Sequence, residues 1–205
     1  MPVVSKAISS SIQGLLSLNS LTGRDAIKLA DVVGTSVATY LVTPNLVSCS
    51  LNGTAGPIGN ISSMAVIGIV PTAMSGLMLS KAASKKLNGR DIKKLFDSIS
   101  NGLAQILMGM VLTGTAVGIA VGGGVGSFTA VNATTLSNLM YSLMLSKQLT
   151  GRDAANLCES ISFGIINHLK SSVRFTVIVT GVVAPVPPVG PVAVIGIPSL
   201  FTKIN

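Results

Sequence analysis

The chain has 205 residues, of which 48% are hydrophobic, 10% charged and 3% aromatic, with 14 Lys and Arg against six acids. A mean hydropathy of +0.71 is unlike that of an ordinary soluble monomer, whose surface carries far more charge. One His, two isolated Cys and six acids offer no metal-ligand spacing and little material for acid–base chemistry.

All six acids fall on one motif that occurs three times. It reads Leu, Thr or Asn, Gly-Arg-Asp, three residues, Leu, one residue and an acid. The copies are Leu21–Asp25 with Leu29 and Asp31, Leu87–Asp91 with Leu95 and Asp97, and Leu149–Asp153 with Leu157 and Glu159. They are spaced by 66 and 62 residues, a period that marks tandem structural units.

In chain order, the first unit opens with the short apolar stretch 14–18, then the motif. Ala26, Leu29, Ala30, Val33, Val37 and Leu41 follow at helical spacing. A turn is expected at Asn52-Gly53 and an extended piece at 65–69. The second unit repeats this with stretch 76–80, the motif, and Ile92, Leu95, Phe96, Ile99, Leu103 and Leu107. Its extended region, 116–121, comes early and is shortened. The third unit has stretch 142–146, the motif, and Ala154, Leu157, Cys158, Ile161, Ile165 and Leu169. A strand is expected at 174–180, a turn at Gly181, and a second extended piece at 193–197 whose sequence is identical to 65–69. Ser36, Gly102 and Gly164 occupy one place in the three main helices and imply a close helix crossing. The pattern predicts an α+β fold of three tandem repeats, each a helical hairpin followed by Gly-rich extended or β segments. The units are 1–71, 72–131 and 132–205.

The motif has the form of a helix start. Thr22, Asn88 and Thr150 are preferred N-cap residues. Asp25, Asp91 and Asp153 follow at the capping-box spacing, with Asp replacing the usual Glu. They also suit the positive end of the helix dipole. Arg24, Arg90 and Arg152 are left without a capping role. Each lies seven residues before Asp31, Asp97 or Glu159, on one helix face but two turns away, too far for a direct pair. These six residues are therefore expected to pair between repeats or between subunits.

No site of another kind emerges. The glycines of 118–126 lack the Lys-Ser or Lys-Thr of a phosphate loop. His168 has no partner acid nearby and lies near the end of the third main helix, where its charge would suit the dipole. A triad needs an oriented His and acid. Cys49 and Cys158 read as buried and reduced, and the sequons at Asn52, Asn60 and Asn132 carry no meaning without secretion. No signal peptide is evident. Catalytic residues, cofactor and metal are expected to be none. Lys81, Lys85, Lys86, Arg90, Lys93 and Lys94 form one basic cluster. It reads as a solvated helix face, with nucleic acid the lesser alternative because only Phe96 accompanies it for stacking.

A membrane span needs about 20 apolar residues. The best stretch, 103–125, contains Gln105, Thr113 and Thr115 and ends in glycines; the next, 175–200, carries five prolines.

The repeated Leu-Thr-Gly-Arg-Asp with Gly-, Thr- and Val-rich extensions resembles virion structural proteins of tailed bacteriophages. That resemblance implies a head, neck or tail accessory component without catalytic residues. It would be assembled in the host cytoplasm, with other virion proteins and copies of itself as partners and no small-molecule substrate. Three fused repeats would act as a pseudo-trimer, and two chains would supply six equivalent positions. The expected function is thus non-enzymatic assembly. The alternatives are a small membrane protein, such as a pore or lysis factor, and a basic nucleic-acid-binding module.

Overall fold

The computed structural model describes residues 2–43, 46–53, 56–108, 111–118, 121–129, 132–172 and 174–178, with side chains for 5–43, 46, 68–108 and 132–170. Six helices dominate: α1 (Pro2–Leu18), α2 (Arg24–Val42), α3 (Pro71–Ser84), α4 (Ile92–Met108), α5 (Ala133–Ser146) and α6 (Ala154–Ser172). The chain divides into two compact units. The first gathers 1–40, 70–106 and 131–169 and is helical; the second gathers 41–69, 107–130 and 170–205.

The helical unit is built from three hairpins, α1–α2, α3–α4 and α5–α6, each a short or N-terminal helix followed by a motif helix. Local chemistry sets their ends. Pro71 stands in the first turn of α3, where its missing N–H costs nothing. The Asn132 side chain accepts the Thr134 N–H at 2.9 Å and caps α5. The first helix of each hairpin stops in the same way. Ser20, Lys86 and Gln148 adopt φ of 59°, 54° and 60°. The next N–H, of Leu21, Leu87 or Leu149, reaches back to the carbonyl of Leu16, Ala82 or Met144. Three equivalent Schellman turns therefore deliver the chain into three equivalent motifs.

Burial follows the repeat residue by residue. The inward positions of the first helices are Ile8, Ser9, Ile12 and Leu16; Met74, Ser75, Met78 and Ala82; and Leu136, Ser137, Met140 and Met144. Those of the motif helices include Ala30, Val33 and Val37; Phe96, Ile99 and Leu103; and Cys158, Ile161 and Ile165. A single hairpin has two apolar sides and covers only one of them. The other is covered by the next hairpin. Gly102 on α4 meets α5, where an added Cβ would stand 2.8 Å from Met140 Cγ. Gly164 on α6 meets α1, where it would stand 2.9 Å from the backbone nitrogen of Ile12. Tyr40 on α2 accepts the Val70 N–H at the start of α3 at 2.7 Å. The helices thus form a closed ring in which the last hairpin returns to the first.

This arrangement corrects the expected fold class. The described residues are mostly helical, and the α+β reading, with Gly-rich β segments completing each helical hairpin, is overturned. The physical reason is that the hairpins satisfy one another's apolar faces and pool into one body. In the second unit, backbone pairing is antiparallel between consecutive segments β1 (Val47–Gly53), β2 (Gly56–Ile69), β3 (Val111–Gly118), β4 (Val121–Thr129) and β5 (Arg174–Ile178). The three sequence units 1–71, 72–131 and 132–205 and these two compact units divide the chain along different lines, since each sequence unit contributes to both. The extended piece expected at 193–197 and the turn at Gly181 lie outside the described residues.

The close helix approach gives a graded prediction. Gly164→Ala should lower stability by about 1–3 kcal/mol, because backbone must shift to admit a methyl group. Gly102→Ala should cost less, since Met140 can move. Gly14→Ala, with open space around it, should be neutral or stabilising by up to about 1 kcal/mol. Urea denaturation of the three variants checks the order.

Candidate functional site

The three motifs lie at the turns between paired helices, and the structure places their residues differently from a capping box. Helix α2 starts at Arg24, α4 at Ile92 and α6 at Ala154. The first carbonyls to accept an N–H from each helix are those of Gly23 (from Ile27, 3.3 Å), Gly89 (from Ile92, 3.2 Å) and Gly151 (from Ala154, 3.1 Å). Thr22, Asn88 and Thr150 lie further upstream, are exposed, and among the described residues make no side-chain cap. The expected box does not form. Asp is a methylene shorter than the Glu that normally reaches back, and its carboxylate takes basic partners instead. Asp25 accepts from Lys28 at 3.0 Å, and Asp91 from Lys94 at 2.9 Å. The hydrogen bond from Lys94, followed by the charges of Lys94 and Arg90, holds the Asp91 carboxyl below its ordinary pKa. All three Asp remain near helix N-termini, where the dipole favours them.

The second acid of the first two motifs ties one hairpin to the next, but through Lys rather than Arg. Asp31 on α2 pairs with Lys85, which follows α3. Asp97 on α4 receives Lys93 at 2.7 Å and Lys147, which follows α5, at 4.0 Å. The same acids face a serine of their own hairpin: Ser9 for Asp31, at 3.5 Å, and Ser75 for Asp97. The third junction departs from this scheme. The residue equivalent to Lys85 and Lys147 is Asn19, whose side-chain amide donates to Ser160 Oγ at 2.9 Å. Glu159 beside it is exposed and forms no ion pair among the described residues.

The expected pairing of Arg24, Arg90 and Arg152 with acids of a neighbouring repeat is therefore not formed. Arg90 and Arg152 have side chains 94% exposed, with only the adjacent Asp91 (3.8 Å) and Asp153 (3.5 Å) in range. Arg24 is exposed too, and among the described residues it makes no ion pair. The cyclic lysine ties had a weak sequence signal, because Lys85 and Lys147 are matched by Asn19 in the first unit.

The motifs converge on an open apolar depression of about 500 Å³. Leu21, Leu149, Ala26, Leu29, Leu157 and Met144 line it, with Thr22, Gly151, Arg152, Asp153 and Asp91 at its edge. A contiguous second lobe adds Leu87, Ile92, Leu95, Gly89 and Asp25. All three motifs thus border one concave surface, with half-buried leucines inside and Asp25, Asp91, Asp153 and Arg152 at its edge. Sequence reading found each motif residue singly but not this convergence.

The remaining candidates resolve into structure. Lys85, Arg90, Lys93 and Lys94 of the basic cluster are engaged with Asp31, Asp91 and Asp97, and Lys81 donates to Thr39 at 3.4 Å. Phe96 is fully buried and offers no stacking face. Desolvation lowers the His168 pKa, so the ring favours the neutral form at pH 7, not the charged one expected at a helix end. Burial pushes the Cys158 thiol up to about 12, the opposite of an activated nucleophile. The Cys49 side chain lies outside those described. Among the described residues no group of three His, Cys, Asp or Glu could hold a metal ion, and no helix is long and apolar enough to cross a membrane.

Two measurements test this site. Burial alone would raise the Asp97 pKa, but hydrogen bonds from Lys93 and Ser75 and the charges of Lys93 and Lys147 outweigh it and hold the group below its ordinary value. Its stabilising contribution is then present above the unfolded value of about 3.9 and lost as pH falls through the lower folded pKa. Urea midpoints should fall on acidification below about pH 4, and less steeply in Asp97→Asn. In a Cys49→Ser background, Cys158 should react with Ellman's reagent only once denaturant unfolds the helices. Equal rates with and without denaturant would contradict its burial.

No family model matches the chain, and neither curated proteins nor solved structures show a significant similarity to it.

Proposed function

We propose that the chain is a non-enzymatic assembly subunit, a structural component of a bacteriophage particle that works by protein–protein contact. The observation that supports this reading is the ring of three hairpins presenting one concave apolar face bordered by all three motifs. A face of that kind is unfavourable in water and is ordinarily covered. The charge distribution points the same way. Basic groups beside α3 and α4 are spent on intramolecular acids, which speaks against the nucleic-acid alternative. The repeated arginines reach outward instead.

Quantitative mass spectrometry of separated head and tail fractions tests the reading. The expected result is the chain in a fixed, multiple-copy ratio to other particle proteins in one fraction. Recovery in host membranes, with none in particles, would overturn it in favour of the membrane alternative.

A further inference from the structure

We infer that the motif face is a homotypic docking surface, covered by the motif face of a second copy of this chain. The inference rests on the assembly reading and names its partner.

The first argument is the sign pattern. Each motif carries an Arg followed by an Asp: Asp25, Asp91, Asp153 and Arg152 line the depression, and Arg24 and Arg90 lie in the chain between the lining residues Thr22 and Asp25 and the lining residues Gly89 and Asp91. A twofold axis lying in such a face can set each Arg of one copy against an Asp of the other. Isologous contacts require this self-complementarity. An acidic or a basic partner would meet three like charges, and an uncharged apolar partner would leave both sets unpaired.

The second argument is accessibility. The local pairs of Asp91 with Arg90 and Asp153 with Arg152 are long, at 3.8 and 3.5 Å. Pairs this exposed are weakly held and easily exchanged. A Cβ added at Gly23, Gly89 or Gly151 would touch nothing within 4 Å, so the loops stand clear and a partner's backbone can approach them. Leu18 and Ile27 flank the first motif and are 80% and 51% exposed. The half-buried leucines of the depression provide the apolar centre of the face.

Sedimentation equilibrium of the full chain tests the inference. The wild type should be a dimer that weakens as ionic strength rises. Replacing all three arginines by Ala should raise the dimer Kd about tenfold or more, with the thermal midpoint and helical circular dichroism retained. The triple Arg→Asp and triple Asp→Arg variants should each be monomeric, and mixing them should restore dimers. A monomeric wild type, an unchanged Kd in the Ala variant, or a mixture that fails to associate would overturn the inference. If Asp→Arg impairs folding, the Ala series and its salt dependence decide. Particle incorporation is measured separately. A chain present in particles but monomeric refutes the homotypic face alone, and a dimer absent from particles refutes the assembly reading alone.

Discussion

The helical unit depends on one constraint: the first helix of every hairpin must lie against the motif helix of the hairpin before it. At two junctions this requires a residue without a side chain, Gly102 against Met140 and Gly164 against Ile12. The remaining junction has Ser36 at the matching position, fully buried. A methyl group at the crossing would push two helices apart and open an apolar seam, because tightly packed interiors do not absorb such volume. The ion pairs come second. Lys85–Asp31 and Lys147–Asp97 sit at partly exposed sites, where such pairs contribute little by themselves.

The junction between α6 and α1 differs from the other two. β1 and β2 lie in the chain between α2 and α3, and β3 and β4 between α4 and α5, whereas α6 and α1 are not consecutive and meet only by contact. Among the described residues no ion pair joins them either, and Asn19 is bonded to Ser160 in place of Lys to acid. What remains is the closest backbone approach of the aligned Gly crossings, Gly164 to the Ile12 nitrogen and Cα. A non-covalent closure without an ion pair has to rely on contact area, and the close approach supplies it.

Much of this was legible in the sequence because it is local. The 3.6-residue spacing of Phe96, Ile99 and Leu103 and of their counterparts identified the buried stripe, and the shared small residue identified the crossing. The hairpins were legible from the Leu-rich stretches ahead of each motif. The helix starts were misplaced because Thr and Asp at capping-box spacing cannot report that Asp is too short to reach back. The ties between hairpins were assigned to Arg because the motif displays Arg three times, whereas Lys85 and Lys147 lie in less regular sequence with Asn19 as the third member. The fold class was missed for a non-local reason. Each unit reads as a self-sufficient module, and only three-dimensional packing shows the hairpins leaving their extended segments to share one core.

The internal repeat separates what the fold needs from what it does not. Positions that hold the ring together vary among the units: Lys85 and Lys147 become Asn19, Gly102 and Gly164 become Ser36, and Phe96 becomes Ala30 or Cys158. Packing tolerates this because volume lost at one layer is made up at another. Arg24, Arg90 and Arg152 do not vary, although Arg90 and Arg152 are almost fully exposed and none reaches an acid of another repeat. Helix propensity does not demand Arg there, since Lys or Gln would serve nearly as well. A planar guanidinium that pairs with a carboxylate in a fixed geometry is the property that distinguishes Arg from those residues. On the homotypic reading, its identity at all three positions is explained by a carboxylate of a second copy.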